Sequence, residues 1–167
     1  MMDSERETRI IDDLVDHVRT AGPDVQVQTT PLGTFLFVGE DRMFPFATII
    51  SRDDAYDNAS RLDRPGVFRL NVGVSPATFR SLVPDAADGE PDRARPDVDY
   101  AVLDRFLPHP VYGHMFWLCV LNPGPATLPR LTPLLREAYD LQRARNARRQ
   151  GRGGPTATST ATATADA

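Results

Sequence analysis

Four apolar runs, Val25 to Thr29, Thr34 to Val38, Phe46 to Ile50 and Val67 to Val72, follow one another with no amphipathic helical segment between them. Parallel neighbours in a sheet need a crossover of a dozen or more residues, usually a helix. An all-parallel, doubly wound sheet is therefore excluded. The first two runs read as a hairpin, because Val25, Val27 and Thr29 alternate with Gln26 and Gln28, and Pro31 to Gly33 supplies a turn. A polar turn at Gly39 to Arg42 leads to the third run, and a loop ending in Asp63-Arg64-Pro65-Gly66 leads to the fourth. The four together predict an antiparallel meander.

Helical signals flank the meander. Ser4 and Glu7 have capping-box spacing, Ile10, Ile11, Leu14, Val15 and Val18 share one face, and Gly22-Pro23 stops the run. Ser75 before Pro76 is an N-cap followed by proline at the first helical position, predicting a short helix over 75–83. Residues 84–99 hold prolines and acids but little apolar content, and read as a surface loop. A further short helix is expected over 100–107, a rigid turn at Pro108-His109-Pro110, and a central strand over 115–121. The last helix carries Leu131, Leu134, Leu135, Ala138 and Leu141, and Pro133 makes it begin near Thr132 or kink there. The order predicts an α+β fold: an antiparallel sheet of about five strands with helices packed mainly on one side.

Length allows one domain, expected over 1–149, with a Gly-, Thr- and Ala-rich tail at 150–167 expected to be flexible. The net charge of −4 is uneven: five arginines after Leu141 against Asp166 give that end +4 and leave the body at −8. An acidic body argues against nucleic acid as a partner, since such affinity comes from clustered positive charge. No apolar stretch approaches the ~20 residues of a membrane span, and the N-terminus is charged. The lone Cys119 excludes an internal disulfide and suits a reducing compartment, so a cytoplasmic setting is expected.

The strongest candidate for chemistry is Pro108-His109-Pro110-Val111-Tyr112-Gly113-His114. Two prolines stiffen the backbone around His109, which suits a general base or a ligand-orienting donor. The alternative is a histidine that hydrogen-bonds a neighbouring carbonyl and packs the turn. Asp63 and Arg64, with Arg69 and Asn71 on the strand behind, offer a carboxylate, two guanidinium groups and an amide. Arg69 would grip a ligand carboxylate or phosphate if it faced a cleft; otherwise Asp63 pairs with Arg64 or Arg69 to hold the loop. Trp117 brings an indole proton that needs a partner. The candidate ligand-binding residues are thus Asp63, Arg64, Arg69, Asn71, His109, Tyr112, His114 and Trp117. No catalytic residue is assigned. Neither a nucleophile elbow nor a phosphate loop nor a dinucleotide fingerprint occurs, so no cofactor is expected. His109 and His114 lack a two-histidine ligand spacing, so no metal is expected.

Phe44-Pro45-Phe46-Ala47-Thr48-Ile49, residues 62–71 (LDRPGVFRLN), residues 107–113 (LPHPVYG), Trp117 and Leu121-Asn122-Pro123 resemble the family called domain of unknown function 6194, over about residues 4–145. The order of elements is more loosely similar to the MmcQ/YjbR-like fold. The first resemblance implies no activity; the second implies an architecture and a possible nucleic-acid-binding role. Three readings follow: a non-catalytic domain binding a small ligand or a protein partner, a hydrolase or transferase with His109 as general base, and a nucleic-acid-binding module.

Overall fold

A computed structural model of the chain describes residues 2–86 and 94–152. The expected tail falls mostly outside the described residues. Helix α1 (Met2–Arg19) leads into a hairpin of β1 (Val25–Thr30) and β2 (Gly33–Val38). Strands β3 (Ala47–Ile50) and β4 (Arg69–Gly73) continue the meander, and α2 (Pro76–Leu82) follows. Strands β5 (Leu107–Pro108) and β6 (Trp117–Leu121) precede the long α3 (Leu128–Arg152). All strand pairs are antiparallel, in the order β1-β2-β3-β4-β6-β5. The chain is therefore α+β, with one more strand than expected because the two-residue β5 joins the edge.

Register divides the sheet into two chemically different faces. Leu36, Ala47, Val72 and Leu118 lie opposite one another in one row, and Ile49, Leu70 and Val120 in another. These side chains join Leu14 and Val18 of α1, Phe79 of α2, and Leu131, Leu135 and Ala138 of α3 in one buried cluster. Each large aliphatic side chain so buried contributes about 1.5–3 kcal/mol. Because side chains alternate along a strand, the intervening row, Phe35, Thr48, Asn71, Cys119 and Leu107, faces away from the helices, as does Arg69. Loop 51–66 covers part of that second face, where Leu62 and Val67 pack with Leu121.

Several boundaries differ from expectation. Ser4 lies inside α1 and its carbonyl accepts the Thr8 hydroxyl at 2.9 Å, so it is not the cap. Ser75 does cap α2, its hydroxyl accepting the Thr78 amide at 3.2 Å. Residues 100–107 form no helix. Instead the Asp104 amide donates to the Leu121 carbonyl at 2.7 Å, Leu103 bridges Leu121, and Asp104 takes φ 52, a left-handed conformation that ends any helical run. Helix α3 starts at Leu128 and passes through Pro133.

That early start has a distant cause. The Asp104 carboxylate accepts the amides of Gly124, Ala126 and Thr127 at 2.8–3.1 Å and the Thr127 hydroxyl at 2.6 Å. These donors lie in the turn that leads into α3, and a negative charge there also meets the positive end of the helix dipole. The Thr127 hydroxyl foremost, then the amides, hold the Asp104 carboxyl below the usual range. A carboxyl depressed in the folded state stabilises above the unfolded aspartate pKa and loses that contribution as pH falls through the folded value. Asp104→Ala should therefore lower Tm at pH 7, and thermal melts should show the gap from the parent closing on acidification.

Candidate functional site

The second face holds a polar network centred on Arg69, which is 0% exposed and the largest fully buried side chain. A guanidinium brings five N–H groups in a rigid fork. Nε donates to Asn71 Oδ1 at 2.7 Å, and Nη1 donates to Asp57 Oδ1 at 3.0 Å and Ser60 Oγ at 2.8 Å. Nη2 donates to Asp57 Oδ2, completing a two-pronged ion pair, and lies 3.1 Å from His109 Nε2. Asn71 in turn donates to Thr48 Oγ1 at 2.9 Å. Burial pulls the Arg69 pKa down, but the bond to Asp57 and nearby negative charge more than offset it, and the net shift is upward.

His109 closes the network and anchors the chain beyond it. The amides of Val111 and Tyr112 both donate to Nδ1 at 3.0 Å, and the His109 amide donates to the Trp117 carbonyl at 2.9 Å. Two donors at Nδ1 assign the lone pair to that nitrogen and the proton of the neutral ring to Nε2, which lies 3.7 Å from Asp57 Oδ2. The ring is 4% exposed as a residue. Burial first, then the charge of Arg69, push its pKa well below the usual histidine value. His109 is thus a neutral ring in the native protein at neutral pH.

Beyond His109 the backbone rises to a ridge. Residues Gly113–Met115 form a single 3-10 turn, and Phe116 takes φ 65, an uncommon conformation for an aromatic residue. Phe116 is held there by an edge-to-face contact with Phe79 at 5.7 Å, by Arg80 over its ring at 5.4 Å, and by the Val74 amide on its carbonyl. Tyr112 is 48% exposed and Met115 57%; the Tyr112 ring sits 5.0 Å from the imidazole. Trp117 lies across Gly73, whose position leaves only 3.1 Å between an added Cβ and the indole.

Of the expected residues, Arg69, Asn71 and His109 meet. They meet as a buried network, and Arg69 presents no free edge to a ligand. Tyr112 and the exposed His114 stand on the ridge outside it, with Trp117 half-buried at its foot. Asp63 and Arg64 lie apart. Asp63 accepts the Asp53 amide at 3.2 Å, while Arg64 donates to the carbonyls of Arg61, Ser60 and Ala101 at 2.8–3.1 Å and clasps the loop. The partner of Arg69 is Asp57, which sequence reasoning missed, together with Ser60 and Thr48.

Two further candidates resolve locally. Cys119 is fully buried, and desolvation pushes its thiol up to about 12, so it is present as an unreactive thiol. Among the described residues no group of three His, Cys, Asp or Glu side chains gathers, and no helix is long and apolar enough to cross a membrane.

No curated protein and no solved structure matches the chain. The looser MmcQ/YjbR likeness therefore rests on element order alone. The three motifs that frame the network, around Thr48, Arg69 and His109, all fall within residues 7–151, the span matched by one family model. On that match the chain belongs to DUF6194, a family of unknown function.

Proposed function

We propose that this chain is a non-catalytic binding domain that presents the ridge Tyr112 to Trp117 to an apolar ligand or to an apolar segment of a protein partner. The observation that carries the reading is the contrast between an exposed Tyr112 and Met115 and the rigid backbone beneath them. A loop already fixed in one conformation loses little entropy on binding, and aromatic and methionine side chains are favoured at the centres of interfaces. The buried ion pair and His109 then act as the frame that fixes the loop, while the surface residues make the contacts. A reducing, cytoplasmic setting belongs to the same reading, since the lone thiol is buried and unpaired.

Base catalysis by His109 is the less favoured reading. A general base must accept a proton from a substrate within hydrogen-bond reach, and here Nδ1 already meets two amide donors while Nε2 faces a guanidinium. Binding of nucleic acid has the acidic body against it. The test is NMR titration with phenol, indole and N-acetyl-leucine-amide as probes. Shifts should cluster at residues 111–117, and Tyr112→Ala with Met115→Ser should weaken them at least tenfold with little change in Tm. Shifts clustering elsewhere, or unaltered by the double substitution, would sink the reading.

A further inference from the structure

We propose that β1 is an interface strand, and that its occupant is a second copy of this chain added antiparallel across a two-fold axis. The two edges of the sheet differ sharply. At one, β5 is two residues long and ends in Pro108, devices that keep an edge from pairing. At the other, β1 runs six residues, Val25-Gln26-Val27-Gln28-Thr29-Thr30, with no charge and no proline, and every residue is in regular register with β2. Among the described residues no other strand pairs with it. Such an edge is a template for another strand.

The direction of its free groups follows from the hairpin. Thr30 and Gly33 close a two-residue turn, and the Gly39 amide donates to the Asp24 carbonyl at 2.8 Å. Even-numbered residues of β1 thus spend their backbone groups on β2, and those of Val25, Val27 and Thr29 point to the open edge. A two-fold axis perpendicular to the sheet at Val27 pairs Val25 with Thr29 of the second copy in both directions. It keeps the helix-covered faces of both sheets on the same side.

A short strand pair alone falls below the roughly 1,200 Å² that a stable interface buries, so a neighbouring element must contribute. Beside β1, α1 borders a groove of about 560 Å³ lined by Asp12, Asp16, Arg19, Val27 and Thr29. The same two-fold sets α1 antiparallel to its counterpart, which directs Asp12 of one copy toward Arg19 of the other. Within this set the Asp12 and Arg19 positions are complementary to each other across the axis, as an isologous contact requires, while Asp16 meets no opposite charge. The Asp12–Arg19 match favours a second copy over an unrelated strand.

Sedimentation equilibrium of the full chain tests this. The parent should be a dimer at micromolar concentrations. Thr29→Pro, which removes an outward amide and spares the bonds to β2, should raise the dimer dissociation constant at least tenfold. Arg19→Asp should weaken the dimer, and Arg19→Asp combined with Asp12→Arg should restore it, an outcome independent of whether the proline variant folds. A parent that is monomeric throughout overturns the proposal. So does a dimer indifferent to these substitutions, or one that forms only after residues 153–167 are removed, which would make the tail the occupant.

Discussion

Asp57→Ala should lower the unfolding free energy by about 3–5 kcal/mol, the usual result of stripping a buried charge of its partner. The Asp57 side chain is 18% exposed, whereas that of Arg69 is 0% exposed. Removing the carboxylate therefore leaves the guanidinium buried with only neutral acceptors, Ser60 Oγ and Asn71 Oδ1, beside an imidazole. Removing the guanidinium instead leaves a carboxylate with access to water. Arg69→Met should accordingly cost less than Asp57→Ala. The double variant should be more stable than the two single losses predict, since an apolar replacement no longer needs a counter-charge. Urea unfolding followed by circular dichroism measures all three; equal and additive losses would mean that the ion pair carries little of the network.

The second large effect is in pH. His109 has a folded pKa well below its unfolded value, so below about pH 6.5 the unfolded chain binds a proton that the native protein refuses. Its contribution to stability is complete above that pH and is lost as pH falls toward the folded pKa. The slope approaches about 1.4 kcal/mol per pH unit for this one group. The groups that face the ring fix the sign: Arg69 repels a second proton, the amides of Val111 and Tyr112 occupy Nδ1, and Asp57, which would welcome one, is 3.7 Å away. His109→Gln should flatten the dependence between pH 7 and 5 and lower stability at pH 7. Unfolding curves at several pH values, with slopes equal in parent and His109→Gln, would contradict the assignment.

How much of this was legible in the sequence follows from the kind of signal each part carries. Period-two alternation and a Pro-x-Gly turn placed the hairpin, and the absence of crossover helices fixed the antiparallel order, because both are local or near-local. The motifs holding Arg69, Asn71 and His109 stood out as well, and they do meet. Their surroundings were misread. Arg69 and Asn71 alternating with Phe68, Leu70 and Val72 resembles a half-exposed strand, yet the face that should have met water lies under loop 51–66. Asp57, twelve residues before Arg69, is one of four aspartates in an irregular segment, and no periodicity separates it from Asp53, Asp54 or Asp63. The same long-range logic hid Asp104, whose role at the start of α3 depends on a contact twenty residues along the chain. The cleft that Arg69 would have to face to grip a ligand gives way to a closed network with Tyr112 outside it. A buried arginine needs acceptors, and Asp57, Ser60 and Asn71 supply them internally for four of its five donors.

The central claim is that a neutral imidazole, held at Nδ1 by two amides and packed against the guanidinium at Nε2, joins the buried ion pair to the surface ridge. The ring nitrogen chemical shifts of His109, followed by NMR from pH 8 to pH 5, test it most directly. A ring that stays neutral with its proton on Nε2 across that range is the predicted result. Protonation of His109 with an ordinary histidine pKa, or a proton found on Nδ1, would contradict it.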